Sequence, residues 1–221
     1  MAKPAGKSGF FQARVGADGE IVGYFERIPF AKEKAEIETY MVERFIVSMN
    51  KGISKTGDRF FLDNPRLNPE DDFDFTVSSP NGPAYLELME IAPLAGSHEK
   101  APSAYKPYDF GKVILSGIRD KSNRYPTNLG RDLFLLLYVT HWFFMLSDVA
   151  VACLRHWLRS QPTIFRAIFT YELLDANEGV PRWLYPVPPE LIGPFDPEQV
   201  RENVCLHLDP QGFQIAHERK S

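Results

Sequence analysis

The stretch LFLLLYVTHWFFMLSDVAVACL, residues 133–154, sets the strongest limit on the fold, because a run this apolar has to be buried in something. Its length approaches that of a membrane span. Thr140, His141, Ser147 and Asp148 interrupt it, however, and Asp148 would be costly in lipid. A buried strand, LFLLLYV, followed by a helix that opens with Ser147 or Asp148 as its cap accounts for both the apolar runs and the polar breaks. The chain is therefore read as globular, with no membrane contact. The polar start MAKPAGKSG, with no apolar secretory core, adds the expectation of a cytoplasmic protein.

Helical and strand periodicities alternate along the rest of the chain. FQARVGADGEIVGYFERI reads as a hairpin turning at Ala17-Asp18-Gly19, behind nine frayed residues. From Ala31 to Met49 the spacing of Ile37, Met41, Phe45 and Met49 predicts a helix that Lys51-Gly52 ends. DNPRLNPEDD reads as a connection, DFDFTVSS as a strand, Pro80-Asn81-Gly82-Pro83 as a turn and YLELMEI as the returning antiparallel strand. A mobile loop is expected over APLAGSHEKAPSAYKP, then a helix through Phe110, Val113, Ile114, Gly117 and Ile118 that Pro126 closes. After the strand at 133–139 and the helix from about Ser147 to Ser160 come strands at 164–173 and RWLYPV, joined by a turn at Asn177-Glu178-Gly179.

Length favours one α/β domain: an N-terminal hairpin extension at 1–30, a core at 31–187 and a C-terminal extension at 188–221. Hydrophobic residues at 44% suffice for a core, while a net charge of -4 supplies no global field for a polyanion, so any nucleic-acid contact is local. Cys153 falls in an apolar helical pattern and reads as a buried thiol. The chain contains no G-x-S-x-G elbow and no glycine-rich phosphate loop, which removes the support for serine hydrolase and P-loop chemistry.

What remains is a set of carboxylates. In an extended strand Asp72 and Asp74 point one way and Phe73 and Phe75 the other, while on the partner strand Glu87, Met89 and Ile91 oppose Leu86, Leu88 and Glu90. If Glu87 faces the aspartates, three acids converge, and their repulsion calls for a hard cation such as Mg²⁺. The competing account is a solvated hairpin face. Glu38 lies within the apolar arc of the first helix, either as an edge residue with its stem over the core or as a fourth acid. In VILSGIRDKSNRY and the Lys112 before it, Lys112, Arg119, Lys121 and Arg124 crowd toward a helix end; the helix dipole suffices for Arg124, and Lys121 is the candidate positive counterpart of the acids. His141 is either a strand cap or a supporting proton-transfer group.

This succession resembles the PD-(D/E)XK nuclease superfamily over roughly residues 31–187: a helix with a semi-buried Glu, the DFDF and YLELMEI hairpin, a helix ending in IRDKSNRY, a hydrophobic strand, then FRAIFTYEL through RWLYP. The resemblance implies a restriction-endonuclease-like mixed β-sheet flanked by helices and Mg²⁺-dependent (or Mn²⁺-dependent) cleavage of nucleic acid, DNA in particular. It puts Asp72 or Asp74, Glu87 and the Leu88 carbonyl on the metal, with Glu38 as the first-helix acid. The family's motif lysine falls on Met89, so the resemblance implies either that Lys121 takes over its role or that the fold is kept as a noncatalytic protein- or nucleic-acid-binding module. Homodimer formation is left open.

Overall fold

The computed structural model describes residues 9–15, 21–53, 61–68, 73–91, 104–126, 132–187 and 193–206. Strands β1 (Gly9–Val15) and β2 (Ile21–Arg27) form an antiparallel pair of their own, followed by helix α1 (Lys34–Ile53). Strands β3 (Asp63–Leu67), β4 (Phe75–Ser79) and β5 (Gly82–Glu90) come next, then the short β6 (Ala104–Tyr105) and helix α2 (Pro107–Ser122). Strand β7 (Leu133–Val139), helix α3 (Asp148–Arg159), strands β8 (Ala167–Leu173) and β9 (Gly179–Tyr185), and the short β10 (Cys205–Leu206), paired with β6, complete the order. The expected frayed start, the tip of the first hairpin, most of the 92–107 loop and Asp72 lie outside the described residues.

Six strands make one mixed sheet in the order β3-β4-β5-β7-β8-β9, with β5, β7 and β8 parallel and the other pairings antiparallel. All seven residues of β7 are buried, as are all seven of β8, because both faces of the sheet are covered. Phe134, Leu136 and Tyr138 pack with Met41, Val42, Phe45 and Met49 of α1, whereas Leu133, Leu135, Leu137 and Val139 pack with Ile114, Ile118, Ala150, Leu154 and Leu158 of α2 and α3. The result is an α/β architecture with one helix on one face and two on the other, consistent with a restriction-endonuclease-like fold. No helix among the described residues is long and apolar enough to cross a membrane.

Local chemistry sets the helix starts. The Ser147 hydroxyl accepts the Ala150 N–H at 3.3 Å as the α3 cap, and Pro107 opens α2 at a position whose N–H has no helical partner in any case.

Three local readings differ from the structure. Helix α1 runs on through Gly52 to Ile53, since glycine weakens a helix without forbidding it. Strand β3 occupies part of the expected connection; it carries Pro65, Asn64 at φ 50° and a register shift, features an edge strand tolerates and a sequence reading takes for a loop. Phe73 and Phe75 do not share a face: Phe75 belongs to the α1 side and Phe73 to the α2 side, because β4 begins only at Phe75 and the preceding residues bend.

Gly117 of α2 seats that helix on the sheet. A Cβ there would stand 3.0 Å from the Met89 sulfur on β5, so any larger side chain must displace Met89 or lift the helix. Gly117→Leu is expected to lower stability by about 1–3 kcal/mol in urea unfolding. Adding Met89→Ala should restore part of the loss, and strictly additive effects would show that the two residues do not compete for space.

Candidate functional site

The site forms where β4 stops short of covering β5. The N–H groups of Tyr85 and Ile91 bond the Asp132 and Tyr138 carbonyls at 2.9 and 2.8 Å, so the odd-numbered residues of β5 direct their backbone toward β7 and the even-numbered ones toward β4. The last pair along this edge is Phe75 with Leu86. Leu88 therefore has no β4 residue opposite it, and its N–H is taken instead by Asp74 Oδ2 at 2.7 Å. By strand geometry its carbonyl is directed to the same edge.

Glu87, one residue earlier, faces the α2 layer with Tyr85 and Met89 and is only 3% exposed. Such a carboxylate needs partners for both oxygens. The Lys121 ammonium bonds Oε2, and the Tyr125 hydroxyl donates to Oε1 at 2.6 Å. The same ammonium stands 3.6 Å from Asp74 Oδ2, so one cation is shared between two acids. The Tyr125 ring stacks on Phe73 at 5.2 Å between centroids, and Phe73 meets Tyr85 at 4.6 Å, an aromatic wall along one side of the cluster. Burial, then the hydrogen bond to Glu87 and the charges of Glu87 and Asp74, raise the Tyr125 phenol well above its ordinary range, so its hydroxyl remains a donor.

Asp74, Glu87, Leu88 and Lys121 thus come together, and Lys121 reaches the acids from the helix while Met89, at the motif-lysine position, packs against Gly117. Glu38 is buried at 7% exposure but belongs to the α1 layer, where it pairs with Lys34 at 3.1 Å and accepts the Tyr138 hydroxyl at 3.1 Å. Burial, then the charge of Glu38 and more weakly that of Asp74, raise the Tyr138 phenol, so the two acids act on one hydroxyl from different elements. His141 follows β7, six residues beyond Leu135, the register partner of Glu87, and its Nδ1 accepts the Phe143 N–H at 3.2 Å. Among the described residues, no three His, Cys, Asp or Glu side chains form a group able to hold a metal ion. Two carboxylates and a carbonyl are what the described residues offer here.

Sequence reasoning missed Tyr125 and Tyr138. Tyr125 lies past the α2 C-cap, Asn123, where helical periodicity no longer places a side chain. Tyr138 sits within an apolar run in which it reads as core, and only its hydroxyl, aimed at Glu38, sets it apart.

No family model matches the chain, and no curated protein matches it. Among solved structures it is similar to that of Pyrococcus furiosus SfsA in complex with Ca²⁺, with 13% identity over 83% of this chain and 96% of that one and a TM-score of 0.30. A likeness that loose carries no argument about this chain.

The bond from Tyr125 to Glu87 yields a direct measurement. Tyr125→Phe keeps the stacked ring but removes the donor to a buried carboxylate, and should lower the unfolding free energy by about 1.5–3 kcal/mol. An unchanged urea midpoint would mean that the 2.6 Å contact contributes nothing net.

Proposed function

We propose that the chain is a metal-dependent hydrolase of phosphodiester bonds in nucleic acid, acting on DNA. The observation that supports this best is the meeting of Asp74, Glu87 and Lys121 beside the backbone of Leu88, with the lysine supplied by α2 where the strand carries Met89. The donor set suits a hard cation, since the Asp74 and Glu87 carboxylates and the Leu88 carbonyl present oxygen alone. These three groups would hold Mg²⁺ or Mn²⁺, which when bound supplies a water of lowered pKa and a counter-charge for the scissile phosphate.

The chain's own residues have separable tasks in this reading. Asp74 meets both Leu88 N–H and Lys121 with Oδ2, leaving Oδ1 for another ligand, and its side chain is 33% exposed. Tyr125 holds one oxygen of Glu87 and fixes the carboxylate plane. Lys121 donates one N–H to Glu87 and stands in ion-pair range of Asp74, and its remaining donors would serve a phosphate oxygen as negative charge grows there. The chain's acidic balance confines attraction for DNA to this neighbourhood and its local cations.

One observation favours a second reading. Glu87 is almost fully buried with both oxygens bonded, which also suits a cluster that only ties α2 to the sheet of a noncatalytic binding module.

Purified protein incubated with plasmid and oligonucleotides in Mg²⁺ or Mn²⁺ should cleave, and Lys121→Ala or Glu87→Gln should lower turnover by about 100-fold or more. Mn²⁺ should raise the melting temperature of the wild type but not of Asp74→Asn or Glu87→Gln. A wild-type protein that neither cleaves nor shifts with Mn²⁺ would favour the binding module.

A further inference from the structure

A hollow of about 60 Å³ lies between the last turns of α3 and the chain that follows β9, with Arg155, His156 and Arg159 on one side and Val187, Gly193 and Phe195 on the other. Among the described residues, no carboxylate lines it. Among the described residues neither Arg155 nor Arg159 makes an ion pair, whereas Arg182 close by is committed to Glu172 at 3.1 Å, to Asp148 at 3.3 Å and to the Leu146 carbonyl at 2.9 Å.

Cations favour helix C-termini, and that preference is enough for His156 and Arg159, which are exposed. It does not account for Arg155. This guanidinium is half-buried, and its Nε is anchored on the Trp183 carbonyl at 2.7 Å, which leaves the four N–H donors of its two terminal nitrogens. Burial and the neighbouring charge of Arg182 both work against its ionisation, and Asp148 offsets them only in part. A guanidinium drawn out of water beside another one, with no ion-pair partner among the described residues, costs free energy that a bound anion would offset.

The size of the hollow narrows the choice. A single water needs about 10–15 Å³ of such space, so the hollow has room for a tetrahedral oxyanion and not for a base and ribose. Arginine terminal nitrogens match such an oxyanion in a two-bond geometry, a second arginine one helical turn on adds charge, and Phe195, whose ring stands 6.4 Å from that of His156, walls the far side. We infer that this hollow binds phosphate, either free inorganic phosphate or the terminal phosphate of a nucleic-acid strand. The inference stands independently of the nuclease reading.

The test titrates the full chain with inorganic phosphate at constant ionic strength, reading ³¹P line broadening, with chloride as the control for screening. Saturable broadening is expected, weakened about tenfold in Arg159→Gln, an exposed position whose substitution leaves the core intact. Arg155→Gln should abolish it, with circular dichroism confirming the fold. Competition by an oligonucleotide carrying a 5′-phosphate, but not by its unphosphorylated twin, would assign the anion to a strand end, and failure of both to compete would assign it to free phosphate. No saturation, or the same broadening in folded Arg159→Gln and Arg155→Gln, overturns the proposal.

Discussion

Two carboxylates can share one ammonium in a poorly solvated setting only if the ammonium is delivered to a fixed position, and here the register of α2 on β5 delivers it. Four helical residues advance about 6 Å and two strand residues about 6.6 Å, so elements of opposite direction stay in step over that distance. With Gly117 of α2 against Met89 of β5, the residue four further along the helix falls over the residue two back on the strand: Lys121 over Glu87. Tyr125, beyond the end of the helix, turns back to the other oxygen of the same carboxylate. A lysine on the strand at Met89 would need the space that Gly117 and the thioether now share. The placement of the charge on the helix and the close helix packing are two sides of one arrangement.

Much of this was legible in the sequence because it rests on period and burial. The interrupted apolar run split as read into β7 and α3, and the Pro-Asn-Gly-Pro turn joined two strands of an antiparallel pair. Leu86 and Leu88 on one side with Met89 and Ile91 on the other follow from strand alternation alone. Strand β3 was not legible, since Asn and Pro carry loop statistics wherever they occur and only the neighbouring β4 makes that segment a strand. The same applies to Asp74. Alternation places it on a strand face, whereas its actual role is to complete a backbone hydrogen bond that β4 fails to make, a fact about where pairing ends.

Asp74 and Glu87 meet at Lys121, whereas Glu38 lies in the other layer of the sheet, and each of these two buried glutamates has its own tyrosine. Tyr125 serves Glu87 in the α2 layer and Tyr138 serves Glu38 in the α1 layer, and burial keeps both phenols protonated. Both of these glutamates also have a lysine, Lys121 for Glu87 and Lys34 for Glu38. Among the described residues the acids are thus compensated locally, Asp74 and Glu87 by Lys121 and Glu38 by Lys34, which eases the repulsion that carboxylates gathered at one point would otherwise have to overcome.

Both edges of the six-stranded sheet contain a proline, Pro65 in β3 and Pro181 in β9, and β3 adds a left-handed Asn64 with a register shift. Proline is accommodated in an edge strand where its missing N–H faces outward, so each outward row of backbone groups lacks a donor. A second chain that tried to continue the ladder would meet a gap at either end. The edges of the six-stranded sheet are therefore poor templates for a further strand, which disfavours its growth by strand addition.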